Sequence, residues 1–390
     1  MKAFFKTIAV AGAATALMAG AALADTIKVG VLAPFAGPMA VWGEQFKNAI
    51  DAYVAQHGNK VGEHTIEFIY KDAGFGNPEV AKTGAQELLV KDKVNYLAGF
   101  VFTPDALAVA PLINRSKTPT IIFNAGLSEL PAKSPYFVRV GFTLPQVAVP
   151  MAEWARKQGL SKIVTVVADF GPGIDAEKSF GDAFKAKGGQ ILDTIRMPLM
   201  STDFTPFMQR IKGLSPDAMF VFITAGPPTY GFVKAYSDNG LAAAGIRFLG
   251  TGETDETTLK AVGDQMLGIT TAYIYSGAHR SAVNDAFVTQ LEKQRPGAVA
   301  SLASVEAYDG VHVIYEMVKA TGAAGGDAAV EFAKTMKWES PRGPVSINPE
   351  NRHITQNVYI RVVEKDAAGK LYNKEFETIE AQPDYGWKPN

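Results

Sequence analysis

The chain holds 390 residues with a formal charge of −1, 47% hydrophobic residues and no cysteine. Both signs of charge are scattered along it, so no strong field draws it to nucleic acid or to an anionic membrane. The missing cysteines exclude disulfides, thiolate nucleophiles and thiolate metal sites, and the length exceeds what one core ordinarily fills, so two domains are expected.

Lys2 and Lys6 give a basic start, Ile8 to Met18 is an apolar run, and Ala22-Leu23-Ala24 places small residues where signal peptidase needs them. That run is too short for a hydrocarbon layer of ~30 Å. A leader cleaved after Ala24 is therefore expected, with the mature protein starting at Asp25 in a bacterial periplasm. No cysteine follows the cleavage site, so a free protein is expected, not a lipid-anchored one.

From Ile27 onward, short runs rich in β-branched and aromatic residues alternate with segments of helical period. Strands are predicted at Ile27 to Ala33, Ile66 to Tyr70, Val94 to Phe100 and Thr120 to Asn124, with helices at Glu44 to His57, Pro78 to Val90 and Asp105 to Arg115. This βα repetition implies a parallel sheet covered on both faces. The rhythm restarts after Gly141. Strands at Ile163 to Ala168, Ile191 to Arg196 and Ala218 to Ile223 precede helices at Asp175 to Lys187, Phe204 to Lys212 and Tyr230 to Asp238, and strands at Arg247 to Gly250 and Gly268 to Tyr275 complete a second sheet. Helices at Asp285 to Gln294 and Leu302 to Ala320, then a strand at Val358 to Val363, read as returns to the first unit and then to the second.

The expected fold is α/β, with two doubly wound parallel-sheet lobes joined by several chain crossings. Residues 25–142 with 279–347 are assigned to one lobe and residues 143–278 with 348–390 to the other. Ligands of such sheets sit beyond the carboxyl ends of strands, so the cleft between lobes is the place for a site.

Enzyme signatures are absent: no GxxxxGK[ST], GxSxG, HExxH or strand-following GxGxxG occurs. Gly171-Pro172-Gly173 lies between a strand and a helix, but its proline removes a backbone donor and no lysine follows, which argues against a phosphate loop. His57, His64, His279, His312 and His353 have no ligand spacing. No metal, cofactor or nucleic acid is expected.

The segment from Ile27 through Pro34-Phe35-Ala36-Gly37-Pro38-Met39-Ala40 to Trp42-Gly43, then Asp72-Ala73-Gly74 with Asn77-Pro78, Leu97-Ala98-Gly99 and Phe248-Leu249-Gly250-Thr251-Gly252-Glu253 follow one another in a recognisable order. Together they resemble the leucine/isoleucine/valine-binding family of ABC-transporter solute receptors, the type I periplasmic binding proteins. The resemblance covers essentially all of the chain after the leader.

It implies a non-enzymatic, monomeric receptor that captures a small carboxylate and presents it to an inner-membrane ABC permease. It also assigns candidate ligand-binding residues. Thr103, with backbone amides of Asn124, Ala125 and Gly126, would hold the carboxylate; Thr103 equally suits the N-cap of the helix starting near Pro104. Relatives have a second hydroxyl just beyond Asn124, where this chain has Gly126 or Leu127. Trp42 corresponds to an aromatic wall, and a second wall expected before Tyr308 is replaced by Ala303 or Ser304, which leaves more room.

Phe170, Tyr230 and Glu253 would close from the second lobe. Phe170 and Tyr230 are equally readable as core, and Glu253 either meets a ligand ammonium or is solvated. Phe102, Phe142 and the run Asp169 to Glu177 resemble a branch of the family associated with aromatic carboxylates. Trp42, Phe102, Phe142, Phe170 and Tyr230 would then clasp a flat ring by offset stacking. An aromatic or other hydrophobic acid is the expected solute; the alternatives are a branched-chain or other amino acid or amide, and a sensory rather than a transport role.

Overall fold

A computed structural model describes residues 25–75, 77–199, 201–224 and 226–388. The expected leader and cleavage site, residues 1–24, lie outside the described residues. The first sheet contains β1 (Thr26–Ala33), β2 (Lys60–Val61), β3 (His64–Asp72), β4 (Tyr96–Gly99), β5 (Thr120–Ile122) and β6 (Phe137–Arg139), in the order β2-β3-β1-β4-β5-β6. All neighbours are parallel except β2 and β3.

The second sheet contains β7 (Lys162–Ala168), β8 (Gln190–Met197), β9 (Ala218–Phe222), β10 (Arg247–Gly250) and β11 (Thr270–Tyr273), parallel in the order β8-β7-β9-β10-β11. Beyond β11 it turns antiparallel. Outward from β11 come β14 (Ile354–Lys365), β13 (Gly343–Ile347) and β12 (Lys337–Ser340), in that order, and β15 (Leu371–Gln382) pairs with β14.

Burial on both faces explains the apolar strand runs. In β7, Ile163 and Val167 enter one core cluster while Val164 and Val166 enter the other, the period-2 alternation of a strand covered on both sides. The first of these clusters runs from β1 across Phe142 and Tyr273, so apolar packing continues from one sheet to the other. Two doubly wound α/β units are thus present, as expected.

Each unit reverses its strand order at one point: between β1 and β4 in the first sheet and between β7 and β9 in the second. Open α/β sheets leave a crevice at such points, beyond the carboxyl ends of the strands.

Several elements escaped the sequence reading. Helix Leu144–Lys157 contains Pro145 and Pro150, which read as breakers. Pro145 sits in the first turn, where no N–H is required, and Thr143 caps the helix by accepting from the Gln146 amide at 3.2 Å. Helix Glu256–Val262 and strands β6, β12, β13 and β15 are short or largely polar.

Buried arginines tie the segments together where the chain passes between sheets. Arg342 pairs with Asp309 at 2.7 Å and donates to Val140 O at 2.6 Å. Arg139 donates to Ala125 O, Leu127 O and His353 Nδ1 and pairs with Asp384. Paired in this way, fully buried guanidinium groups avoid the large penalty of an isolated charge.

Candidate functional site

A cavity of about 630 Å³, including its open mouth, lies between the two crevices. The first sheet contributes residues that follow β1 (Met39, Trp42), β4 (Val101, Phe102, Thr103) and β5 (Asn124, Gly126). The second contributes those that follow β7 (Phe170, Pro172), β9 (Ile223, Thr224) and β10 (Thr251, Gly252). Phe142, Leu144 and Leu302, from segments joining the units, complete the wall together with Phe222 and Tyr273, the last residues of β9 and β11.

Six of the lining residues are aromatic: Trp42, Phe102, Phe142, Phe170, Phe222 and Tyr273. Four of them are already arranged in pairs. Phe170 stacks on Phe222 with centroids 6.0 Å apart and planes 22° apart, and Phe142 meets Tyr273 edge-on at 5.2 Å. No charged side chain lines the cavity among the described residues.

The polar groups are neutral and several lack partners. Thr103 is 4% exposed and its hydroxyl has no hydrogen-bond partner among the described residues; the same holds for Asn124 Oδ1 and the Thr224 hydroxyl. Leaving such groups unmade costs roughly 1 to 3 kcal/mol each unless something else supplies the bond. Thr103 does not cap its helix. Helix Thr103–Ser116 starts one residue earlier than an N-cap at Thr103 requires, with Phe102 in the cap position and no capping side chain. Helix Gly171–Ala186 also starts at the cavity without a side-chain cap. The positive ends of two helices, one from each sheet, therefore point their amide groups toward this space.

The backbone around Thr103 is strained and firmly anchored. Gly99 and Phe100 both have positive φ, 105° and 65°, and a Cβ on Gly99 would lie 2.2 Å from Leu32 O. Phe100 N donates to Leu32 O at 2.8 Å, and Phe100 O accepts from Ala125 N at 3.0 Å. A non-glycine residue in this region costs on the order of 1 to 3 kcal/mol and persists only where surrounding bonds fix it.

Of the sequence candidates, Trp42, Phe102, Thr103, Asn124, Gly126, Phe142 and Phe170 meet at this cavity. Three do not. Ala125 is absent from the wall because its amide is committed to Phe100 O. Tyr230 lines a neighbouring recess of about 360 Å³ with Gln45, Asp255 and Ala303, so the room expected from Ala303 exists beside the main cavity. Glu253 is neither solvated nor turned toward a ligand. It is 1% exposed, and its carboxylate accepts from Ile223 N at 3.0 Å and Thr251 N at 2.6 Å. Burial pushes that carboxyl up to about 7 in spite of these bonds.

Sequence reasoning missed Phe222, Thr224, Thr251 and Tyr273. The rule that ligands lie beyond strand carboxyl ends pointed to this region, since Thr224 and Thr251 follow predicted strands and Phe222 and Tyr273 lie within the last three residues of theirs; Leu302 had no such signal.

The sequence profile described as periplasmic binding protein matches residues 26–369. A protein of Brucella abortus (strain 2308) named Leu/Ile/Val-binding protein homolog 6 is 50% identical, over 95% of this chain and 96% of its own. A solute binding protein of an ABC transporter from Rhodopseudomonas palustris HaA2, solved with p-hydroxybenzoic acid, is 51% identical with a TM-score of 0.90, over 93% of this chain and 99% of its own. Its counterpart from Rhodopseudomonas palustris BisB5, solved with 3,4-dihydroxybenzoic acid, is 45% identical with a TM-score of 0.89 over the same shares. Two doubly wound sheets meeting at an aromatic cavity, a profile match across nearly all of the described residues and relatives at half identity lead to one assignment: the chain belongs to the periplasmic binding protein family.

Proposed function

We propose that this chain is the substrate-binding component of an ABC importer and that its cavity captures an aromatic carboxylate. The observation that carries this reading is a wall with six aromatic residues and, among the described residues, no charged side chain, in which the buried Thr103 hydroxyl has no partner among those residues. A carboxylate accepting from Thr103 Oγ1 and lying at the uncapped start of helix Thr103–Ser116 would gain charge-assisted bonds and a favourable helix dipole. The ring would then lie among Trp42, Phe142, Phe170 and Phe222. The ligands named for the two Rhodopseudomonas palustris proteins are of this class.

The name of the Brucella abortus relative favours a second reading, a branched-chain amino acid. An α-amino acid brings an ammonium that needs an acceptor of its own when buried. Glu253, the acidic group in the corresponding loop, is taken up by backbone amides, and that counts against this reading.

Binding is not coupled to chemistry in this proposal. Residues 1–24 are a leader removed on export, residues 25–142 with 279–347 form one lobe, and residues 143–278 with 348–390 form the other, with β12 and β13 reaching across to continue the second sheet along β14. The lobes open and close about Gly141 to Pro145 and Ser276 to His279, so that ligand shifts the population toward the closed form presented to the permease. Small-angle scattering on the ligand-free and saturated protein should record a smaller radius of gyration with ligand.

A thermal-shift panel of aromatic acids, branched-chain amino acids and amides tests the solute class. A ligand at 100 times its dissociation constant stabilises by ~2.7 kcal/mol. A hydroxybenzoate should give the largest shift, whereas a response confined to leucine, isoleucine and valine would move the assignment to the second reading.

A further inference from the structure

We propose that Thr224 recognises a second polar group on the ligand, so that the cavity prefers ring-hydroxylated aromatic acids to unsubstituted ones. This rests on the reading that the ligand is an aromatic carboxylate, and it assigns the opposite wall. Thr224 follows β9, lines the cavity and is 8% exposed, and its hydroxyl has no hydrogen-bond partner among the described residues.

Its backbone is fixed on both sides. The preceding amide, Ile223 N, donates to Glu253 Oε1 at 3.0 Å, and Thr224 O accepts from Thr229 Oγ1 at 2.8 Å. The unpartnered hydroxyl therefore belongs to an anchored segment. The nearby Thr251 hydroxyl, by contrast, lies 3.4 Å from Glu253 Oε1, within hydrogen-bond reach.

Thr103 comes from the six-stranded sheet and Thr224 from the nine-stranded one, on opposite walls of one cavity. A rigid ring whose carboxylate meets Thr103 presents its far edge to the second wall. A phenolic hydroxyl there can donate to or accept from Thr224 Oγ1, while Phe170 and Phe222, stacked beside it, cover the ring face. A plain ring leaves the threonine hydroxyl buried and unpaired, and sites built to bond a substrate hydroxyl discriminate strongly against the analogue that lacks it.

The role assigned to Glu253 is positional. Its carboxylate joins the Ile223 and Thr251 amides, which fixes the height of Thr224 in the wall.

Calorimetric titration of the ligand-free wild type, Thr224→Val and Thr224→Ser with benzoate, 3-hydroxybenzoate and 4-hydroxybenzoate tests the proposal. Wild type should bind at least one hydroxybenzoate about tenfold or more tighter than benzoate. Thr224→Val, which keeps the shape and removes the hydroxyl, should bring that ratio to within about twofold of unity, by weakening the hydroxybenzoate and by relieving the unpaired hydroxyl that benzoate leaves in wild type. Thr224→Ser should restore most of the preference. Benzoate binding with an unchanged ratio in Thr224→Val would overturn the role of Thr224 and leave the aromatic-acid reading standing; failure of all three acids to bind wild type would overturn both.

Discussion

The loops after β4 and β10 both sit at carboxyl ends of parallel strands on the wall of one cavity, yet they treat their polar side chains in opposite ways. After β4, the Thr103 hydroxyl and Asp105 Oδ2 are buried with no partner among the described residues. After β10, Glu253 is equally buried, but two backbone amides satisfy its carboxylate. The lesson is that residue type alone does not mark a ligand contact. An acidic residue consumed by its own loop is architecture, and a threonine left without a partner is capacity held for something else.

The largest effect expected from this contrast concerns the two carboxyl groups, both pushed up to about 7 by burial. Asp105 has an ordinary value of 3.8, so the folded state holds its proton more tightly than the unfolded chain. Its stabilising contribution is complete below about 3.8 and is lost as pH rises through about 7. Asp105→Asn should raise stability at pH 8 by up to a few kcal/mol, with little gain at pH 4, as measured by denaturant unfolding at both values.

Removing the Thr103 hydroxyl comes next. Thr103→Val should weaken an aromatic acid by about 1.5 to 3 kcal/mol, roughly 10- to 150-fold, with the unfolding midpoint of the ligand-free protein nearly unchanged. Glu253→Gln should do the reverse. Gln has one acceptor oxygen where the two amides meet two carboxylate oxygens, so the fold should lose about 1 to 2 kcal/mol, while affinity per folded molecule for benzoate, which makes no bond to Thr224, changes by less than about threefold. A large loss of affinity with intact stability would erase the distinction between the two loops. The smallest effect is expected at Phe170→Leu, which removes one stacked partner and should cost about 0.5 to 1.5 kcal/mol of binding by calorimetry.

The same contrast shows how far the sequence could be read. The βα rhythm was legible because strands such as β1 and β7 are largely buried on both faces and mostly apolar. β15 was not, since its sequence Leu371-Tyr372-Asn373-Lys374-Glu375-Phe376-Glu377 is half-exposed and polar. The first wall of the cavity could be read because a recognisable pattern ends at Gly43 and Gly99, with Trp42 just before the one and Thr103 four residues after the other. The second was read too narrowly. Phe170 stands out as an aromatic at a strand end, whereas Thr224, although it too follows a strand, is told from any other polar loop residue only by its missing partner. Glu253 could not be separated from a ligand contact without the Ile223 amide, 30 residues away in the chain, that occupies it.

A crystal structure of the protein with 4-hydroxybenzoate tests the central claim most directly. The account predicts a carboxylate oxygen within about 3.0 Å of Thr103 Oγ1, the ring between aromatic side chains of both sheets, and Glu253 still bonded to Ile223 N and Thr251 N. A ligand lying the other way round, with its carboxylate in the loop after β10 and only carbon against Thr103, would contradict it.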